Sequence, residues 1–272
     1  MMITGELSEA FWELAVRDDV RVAARFPFVD LGAVVTYLLI MSYVPPFFGA
    51  RKLQQGSPSG RVIASELVLS AVALEIASLS VTLSASHLAQ LRFLGAGLTV
   101  PSVSRLLLHA GISLLAYDAY IYGAHRLLHW GPLYRHVHSV HHRSTAPSAA
   151  TAFAMHPIET IVNMAFLPVF LAVTPVNFYG ATLAGLYMQA NTIVLHGGYE
   201  VFPAWWRSSM GQLLPSVRFH DTHHAAGRGN YGIITTIWDR VFGTVAVPPD
   251  ERDMEAGVPR ASRSNDSFHP TR

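Results

Sequence analysis

Long apolar stretches alternate with short polar ones along this chain, and the apolar stretches are too long for the core of a water-soluble domain. Residues 31 to 49 carry no charge and residues 67 to 86 carry only Glu75. As a helix, each is long enough to cross roughly 30 Å of hydrocarbon. A third apolar run covers 106 to 124 and contains His109 and Asp118. A fourth, 161 to 195, has no acid or base and is interrupted by Pro168 and Pro175. It reads as two helices that enter and leave by the same face. The pattern predicts an all-α integral membrane bundle of about four to five membrane helices.

Three units follow: N-terminal spans and linkers over 1–105, a catalytic unit over 106–247, and a polar tail over 248–272. The tail has few large apolar residues and is expected to be disordered. Composition supports the membrane assignment, with 51% hydrophobic and 14% charged residues. No basic stretch with a cleavage site precedes the first apolar run, so no removable leader is expected. The chain has no cysteine, which excludes disulfides, thiolate-ligated haem and iron–sulfur clusters within it. A net charge of +1 says little about partners, and no nucleic-acid partner is expected.

Between the apolar runs lie three histidine clusters: His125 and His129 in HRLLH, His138, His141 and His142 in HSVHH, and His220, His223 and His224 in HDTHH. Helical geometry brings positions three and four apart onto one face, so each cluster can aim its imidazoles at a common point. Eight convergent imidazoles imply metal. Neutral imidazole suits iron, copper, nickel and zinc, and the lack of a carboxylate-rich cage argues against calcium and magnesium. Eight ligands exceed the needs of one ion, and a structural zinc site would stop at four, with cysteine among them. Two irons in a nitrogen-rich site are the economical reading.

With three single spans and a hairpin, the loop around 50 to 61, the segment 125 to 156 and everything after 195 fall on one side, where the clusters meet. That loop holds Arg51, Lys52 and Arg61 and no acid, which places the histidines in a cap on the cytoplasmic side. The segment 125 to 156 suits helices lying at the interface over the metals. Trp205 and Trp206 suit an aromatic belt. A metal transporter would place its ligands within the spans, and a b-type cytochrome would pair single histidines on facing helices. Neither matches clusters outside the spans.

HRLLHWGPLYRHVHSVHH, AMHPIET, LHGGYEVFP and RFHDTHH followed by GNYGIITTIWDRVFGT together resemble the boxes of the fatty acid hydroxylase and sterol desaturase superfamily, in particular its C-4 methylsterol oxidase branch. The resemblance covers about 118 to 244. It implies iron ligation by His125, His129, His138, His141, His142, His220, His223 and His224, with His196 as a ninth ligand. It leaves Glu200, four residues beyond His196, either to ligate or to orient. Asp118, seven residues before His125 on one helical face, fits a carboxylate that accepts the free N–H of a metal-bound imidazole. His156, Glu159 and Asp221 are candidates for the same task, His156 equally for a helix cap. His87, His109 and His269 have no histidine partner at helical spacing and read as structural or solvated. Asn230, Tyr231, Trp238, Asp239 and Arg240 read as locking the C-terminal cap, and Glu75 as a packing or tunnel group.

The resemblance implies an oxidoreductase that uses two irons, O2 and two external electrons to hydroxylate a C–H bond of a lipid. A sterol or isoprenoid substrate entering from the bilayer is favoured. A desaturase with the same site is the alternative outcome. The chain has no flavin, nicotinamide or cytochrome b5 fold of its own, so a separate donor, cytochrome b5 or a ferredoxin with its reductase, is expected. Arg135, Arg143, Arg207, Arg218 and Arg228 are candidate docking charges. The host membrane is bacterial inner membrane or endoplasmic reticulum.

Overall fold

The computed structural model describes residues 36, 40, 50–54, 58–90, 101–203, 205–206 and 212–246. The expected span at 31 to 49, apart from two positions, and the tail at 248–272 lie outside the described residues, as does Arg207. What is described is helical apart from one short strand pair.

Helix α1 (Gly60–Gln90) and helix α2 (Val103–Leu128) cover the second and third apolar runs. After the short helix α3 (Gly131–His136), a 3-10 turn carries His138–Arg143 and another carries Thr151–Phe153. The fourth apolar block begins as α4 (Pro157–Met164), bends at Ala165 and continues as α5 (Phe166–Val173). Pro157 opens α4 at a position where its missing N–H costs nothing. His156 caps that helix by accepting the Ile158 N–H at 3.1 Å, so its capping role prevails. The chain turns through 174–177, where Asn177 caps the returning helix α6 (Phe178–Leu195). The turn of the hairpin falls at Pro175, while Pro168, in the first turn of α5, accounts for the bend at Ala165, since it has no N–H for the Met164 carbonyl and its ring crowds it. Helix α7 (Val217–Ala226) carries the third cluster, and α8 (Ile237–Val241) closes the described chain.

Among the described residues one stretch, Gly60–Ser80, is long and apolar enough to cross a membrane; the kinked helix Pro157–Val173 is shorter. At 1.5 Å per residue the 18 residues of α6 reach about 27 Å, so both arms of the hairpin fall short of a full span.

Helices α2 and α6 form the central pair, and α1 packs across α4, α5 and the 151–153 turn. Gly180 makes the pairing possible, since a Cβ there would stand 2.6 Å from that of His109. Phe166, Phe170 and Leu171 pack with Val176 and Ala181 at the far end of the hairpin. At the opposite end the C-termini of α2 and α6 meet the N-terminal ends of α1 and α4. Tying that end together, strand β1 (Arg51–Lys52) pairs antiparallel with β2 (Tyr199–Glu200), and the Leu53 N–H reaches the Gly198 carbonyl.

Candidate metal centre

Nine histidines converge at this end of the bundle and divide into two groups: His125, His129, His138, His142 and His223 in one, and His141, His196, His220 and His224 in the other. Within each group the ring nitrogens lie within 4.8 Å of one another. The groups share a wall, since the His142 and His224 rings stack with centroids 4.8 Å apart.

The two His-x-x-His-His runs do not aim at a common point. His138 and His142 enter the five-histidine group while His141 enters the other; His220 and His224 enter the four-histidine group while His223 enters the first. Positions four apart on a helix differ by about 40° in direction and adjacent ones by about 100°. On α7 the His220 and His224 rings therefore share a centre and the His223 ring crosses to its neighbour; the 138–143 run divides in the same way although it winds as a 3-10 turn, in which i and i+3 would eclipse. Each run contributes to both groups, in opposite proportions.

Backbone carbonyls set the tautomers. In the five-histidine group, Nδ1 of His125, His129 and His223 lies 2.8, 3.1 and 2.6 Å from the carbonyl oxygens of Tyr231, Gly227 and Gly229. A carbonyl only accepts, so each Nδ1 carries the proton and each Nε2 presents a bare lone pair. Those Nε2 atoms, with that of His138 and both nitrogens of His142, are buried without a partner. Glu159 receives His138 Nδ1 at 2.8 Å, the contact expected for a carboxylate behind a ligand histidine.

In the four-histidine group, His196 and His224 turn Nδ1 to the carbonyls of Thr192 and Ser144. Their Nε2 atoms, both bare, nevertheless lie 3.2 Å apart. Nε2 of His196 is also 3.3 Å from that of His141 and 3.0 Å from that of His220. Two facing lone pairs repel unless a cation lies between them. Metal–nitrogen bonds of about 2.1 Å set neighbouring ligand nitrogens roughly 3.0 to 3.4 Å apart, which matches. Burial pushes the imidazoles below their ordinary range, His125 and His196 to about 4, so both are neutral at physiological pH, the form that binds metal.

Glu159 meets expectation, and Asp118 departs from it. Asp118 meets no histidine. Its oxygens accept from the Thr235 N–H and hydroxyl at 2.9 and 2.6 Å and from the Trp238 indole at 3.1 Å. It thereby clamps the loop whose Tyr231 carbonyl holds His125. Glu200 stands outside both groups and accepts the N–H groups of Phe202 and Arg218, a fold role at the strand pair. Asp221 accepts from Gln54 Nε2 at 2.8 Å. Asp239 accepts the N–H groups of Tyr231 and Gly232, and Asn230 bonds to Phe219 and Ala246, so the terminal signature does lock the cap. Arg218 is buried and unsuited to docking, whereas Arg135, Arg143 and Arg228 are exposed.

Glu66 and Gln54 went unnoticed in the sequence. Glu75, the acid noted in the second apolar run, faces outward. Glu66, nine residues and about two and a half turns earlier, is buried and receives the hydroxyls of Ser144, Ser148 and Thr151. Because the Ser144 carbonyl holds His224, α1 is tied into the four-histidine group. Gln54 bridges the Pro147 carbonyl and Asp221, and it passes Gly198, whose φ of +75° and tight surroundings disfavour a side chain. An acid within an otherwise apolar helix was the available signal for Glu66; nothing marked Gln54.

A cavity of about 120 Å³ opens between α1, α2, α4 and α6. His125 and His138 of one group and His141, His196 and His220 of the other reach its wall.

Residues 110–244 match the family model for fatty acid hydroxylase. Among curated proteins, a methylsterol monooxygenase of Aspergillus fumigatus is 36% identical over 54% of this chain and 50% of its own. Methylsterol monooxygenase 1 of Gallus gallus is 36% identical over 47% and 42%. A Delta(7)-sterol 5(6)-desaturase of Eremothecium gossypii is 28% identical over 61% and 44%. The chain spans about half the length of these relatives, and no solved structure matches it. Through residues 110–244, which hold all nine converging histidines, the chain belongs to the fatty acid hydroxylase family.

Proposed function

We propose that the protein is a membrane-bound non-haem diiron oxygenase that hydroxylates a C–H bond of a sterol or isoprenoid-type lipid. The observation that carries this reading is the division of nine imidazoles into two adjoining groups with bare nitrogens turned inward. The five- and four-histidine groups would each hold one iron, since imidazole suits iron and, among the described residues, no carboxylate enters either group. Two irons so held would supply the reductive activation of O2 that attack on an unactivated C–H bond requires.

The chain's own residues position and exclude. Carbonyls of Tyr231, Gly227, Gly229, Thr192 and Ser144 fix the imidazole orientations before any substrate arrives. The cavity brings a substrate carbon against both groups within mostly apolar walls. Leu107, Leu108 and Leu115 on α2, Val169 and Val173 on α5 and Leu186 on α6 are exposed, and these large apolar surfaces suit contact with lipid. With the span Gly60–Ser80, they support a membrane setting, and the basic residues Arg51, Lys52 and Arg61 favour the cytoplasmic edge for the histidine end. Electrons would come from a separate donor, cytochrome b5 or a ferredoxin, on the face of Arg135, Arg143 and Arg228. The names of the matched relatives favour a sterol, and the matched sterol desaturase keeps desaturation as the second outcome.

Metal analysis of protein purified in detergent from iron-57-supplemented cells, with Mössbauer spectroscopy, tests the reading. Two coupled irons per chain and O2-dependent oxidation of a fed sterol are expected. One zinc, or no metal despite iron supply, would overturn it.

A further inference from the structure

The walls of the cavity are apolar where Leu74, Ile121, Phe153, Met164, Met188 and Ile233 line them. Apart from the histidine nitrogens, two wall residues carry a buried oxygen with no partner among the described residues: Oε2 of Glu159 and Oδ1 of Asn163. Glu159 is 2% exposed, and its other oxygen is committed to His138. The amide nitrogen of Asn163 meets only the weakly accepting sulfur of Met155, at 3.4 Å. Four residues apart on α4, the two side chains share one face, about 6 Å apart along the axis. Oδ1 of Asn163 can only accept and calls for a donor, and Oε2 of Glu159 lies bare on the same wall. A purely hydrocarbon ligand would leave them bare, a cost that native structures rarely carry.

We propose that Asn163, with Glu159 beside it, forms the seat of a hydroxyl group on the bound lipid. The inference deepens the oxygenase reading and rests on it. An alcohol supplies the missing O–H donor. Glu159 stands beside His138 and Asn163 one helical turn farther away. A hydroxyl seated at Asn163 therefore sets the attacked carbon within a few bonds of it, at the end of the cavity lined by histidines.

Equilibrium binding of cholesterol and of cholest-5-ene, which differ only in the hydroxyl, to wild type, Asn163→Leu and Asn163→Asp in nanodiscs tests the proposal. Metal content of each sample reports whether the site is intact. Wild type is expected to prefer the alcohol roughly tenfold, the worth of one neutral hydrogen bond. Asn163→Leu loses the preference with metal content unchanged, and Asn163→Asp, which keeps an acceptor, retains it. Equal binding of the two lipids by wild type, a preference that survives in Asn163→Leu, or binding of neither lipid overturns the proposal. The first of these would mean that a fixed water fills the seat. Because binding is read without turnover, these outcomes are separate from a failure of the iron or oxygenase reading.

Discussion

The two histidine groups are built from similar sequence runs but anchored to different parts of the chain. In the five-histidine group, the Nδ1 contacts of His125, His129 and His223 all go to one turn, residues 227 to 231. Asp118, Asp239 and Asn230 hold that turn from within the family-matched segment. The four-histidine group is anchored through Thr192 and Ser144, and Ser144 in turn through Glu66 on α1, outside that segment. One centre is therefore self-contained in the boxes, while its neighbour depends on the half of the chain in which no motif is recognisable. The lesson is that a site can be complete in its ligands and still unfinished in its supports.

The comparison can be broken most severely at a residue that belongs to one centre outright. His223→Ala removes an inward nitrogen and the carbonyl contact to Gly229 together. Loss of bound metal and of all oxidation is expected, and an active variant would sink the ligand assignment. Acid challenges both centres at once. His125 and His196 are held from the ordinary 6.5 down to about 4, so between these values the unfolded chain binds protons that the folded chain refuses. Stability of the metal-free protein should therefore fall as pH drops from about 6.5 to 4. A melting temperature flat over that window would contradict the burial of these rings.

Glu66→Ala separates the two centres. It leaves the Ser144, Ser148 and Thr151 hydroxyls without their acceptor and frees the loop behind His224. Metal affinity at the four-histidine centre should fall by roughly 10- to 100-fold, the usual effect of removing an outer support, while the other centre keeps its ion. Mössbauer spectra in which both irons change equally would refute the division. A smaller effect is expected from Asp118→Asn, which weakens a clamp on the 231–235 loop. About 1 to 3 kcal/mol of stability should be lost, measured by denaturant titration, with metal stoichiometry retained. Gly198→Ala, at a φ of +75° beside Gln54, should cost about 1 to 2 kcal/mol; an unchanged melting temperature would show that Gln54 is not tightly fitted against Gly198.

Helical spacing made the histidines legible, because three- and four-residue intervals in a short segment commit side chains to neighbouring directions whatever the rest of the chain does. The hairpin was legible for a similar reason, an uncharged block too long for one helix and interrupted by proline. Glu159 was one of several residues expected behind a metal-bound imidazole, but its partner, His138, is named only by the fold. Asp118 was misread because its distance from His125 in sequence suited a contact, whereas its partners lie 117 and 120 residues away. Glu75 drew attention merely as the charge inside the chosen window; Glu66, just outside it, is the acid that the fold buries.

What the sequence determined by itself was the supply of chemistry: which residues carry imidazoles, at what local spacing, and between long apolar runs. The tertiary structure alone decided how that supply is shared, with each His-x-x-His-His run split between two centres and the tautomers of His125, His129, His196, His223 and His224 set by backbone carbonyls. Backbone carbonyls are identical at every position and leave no mark in the sequence. Their selection as partners, like that of Glu66 and Gln54, exists only once distant segments have packed.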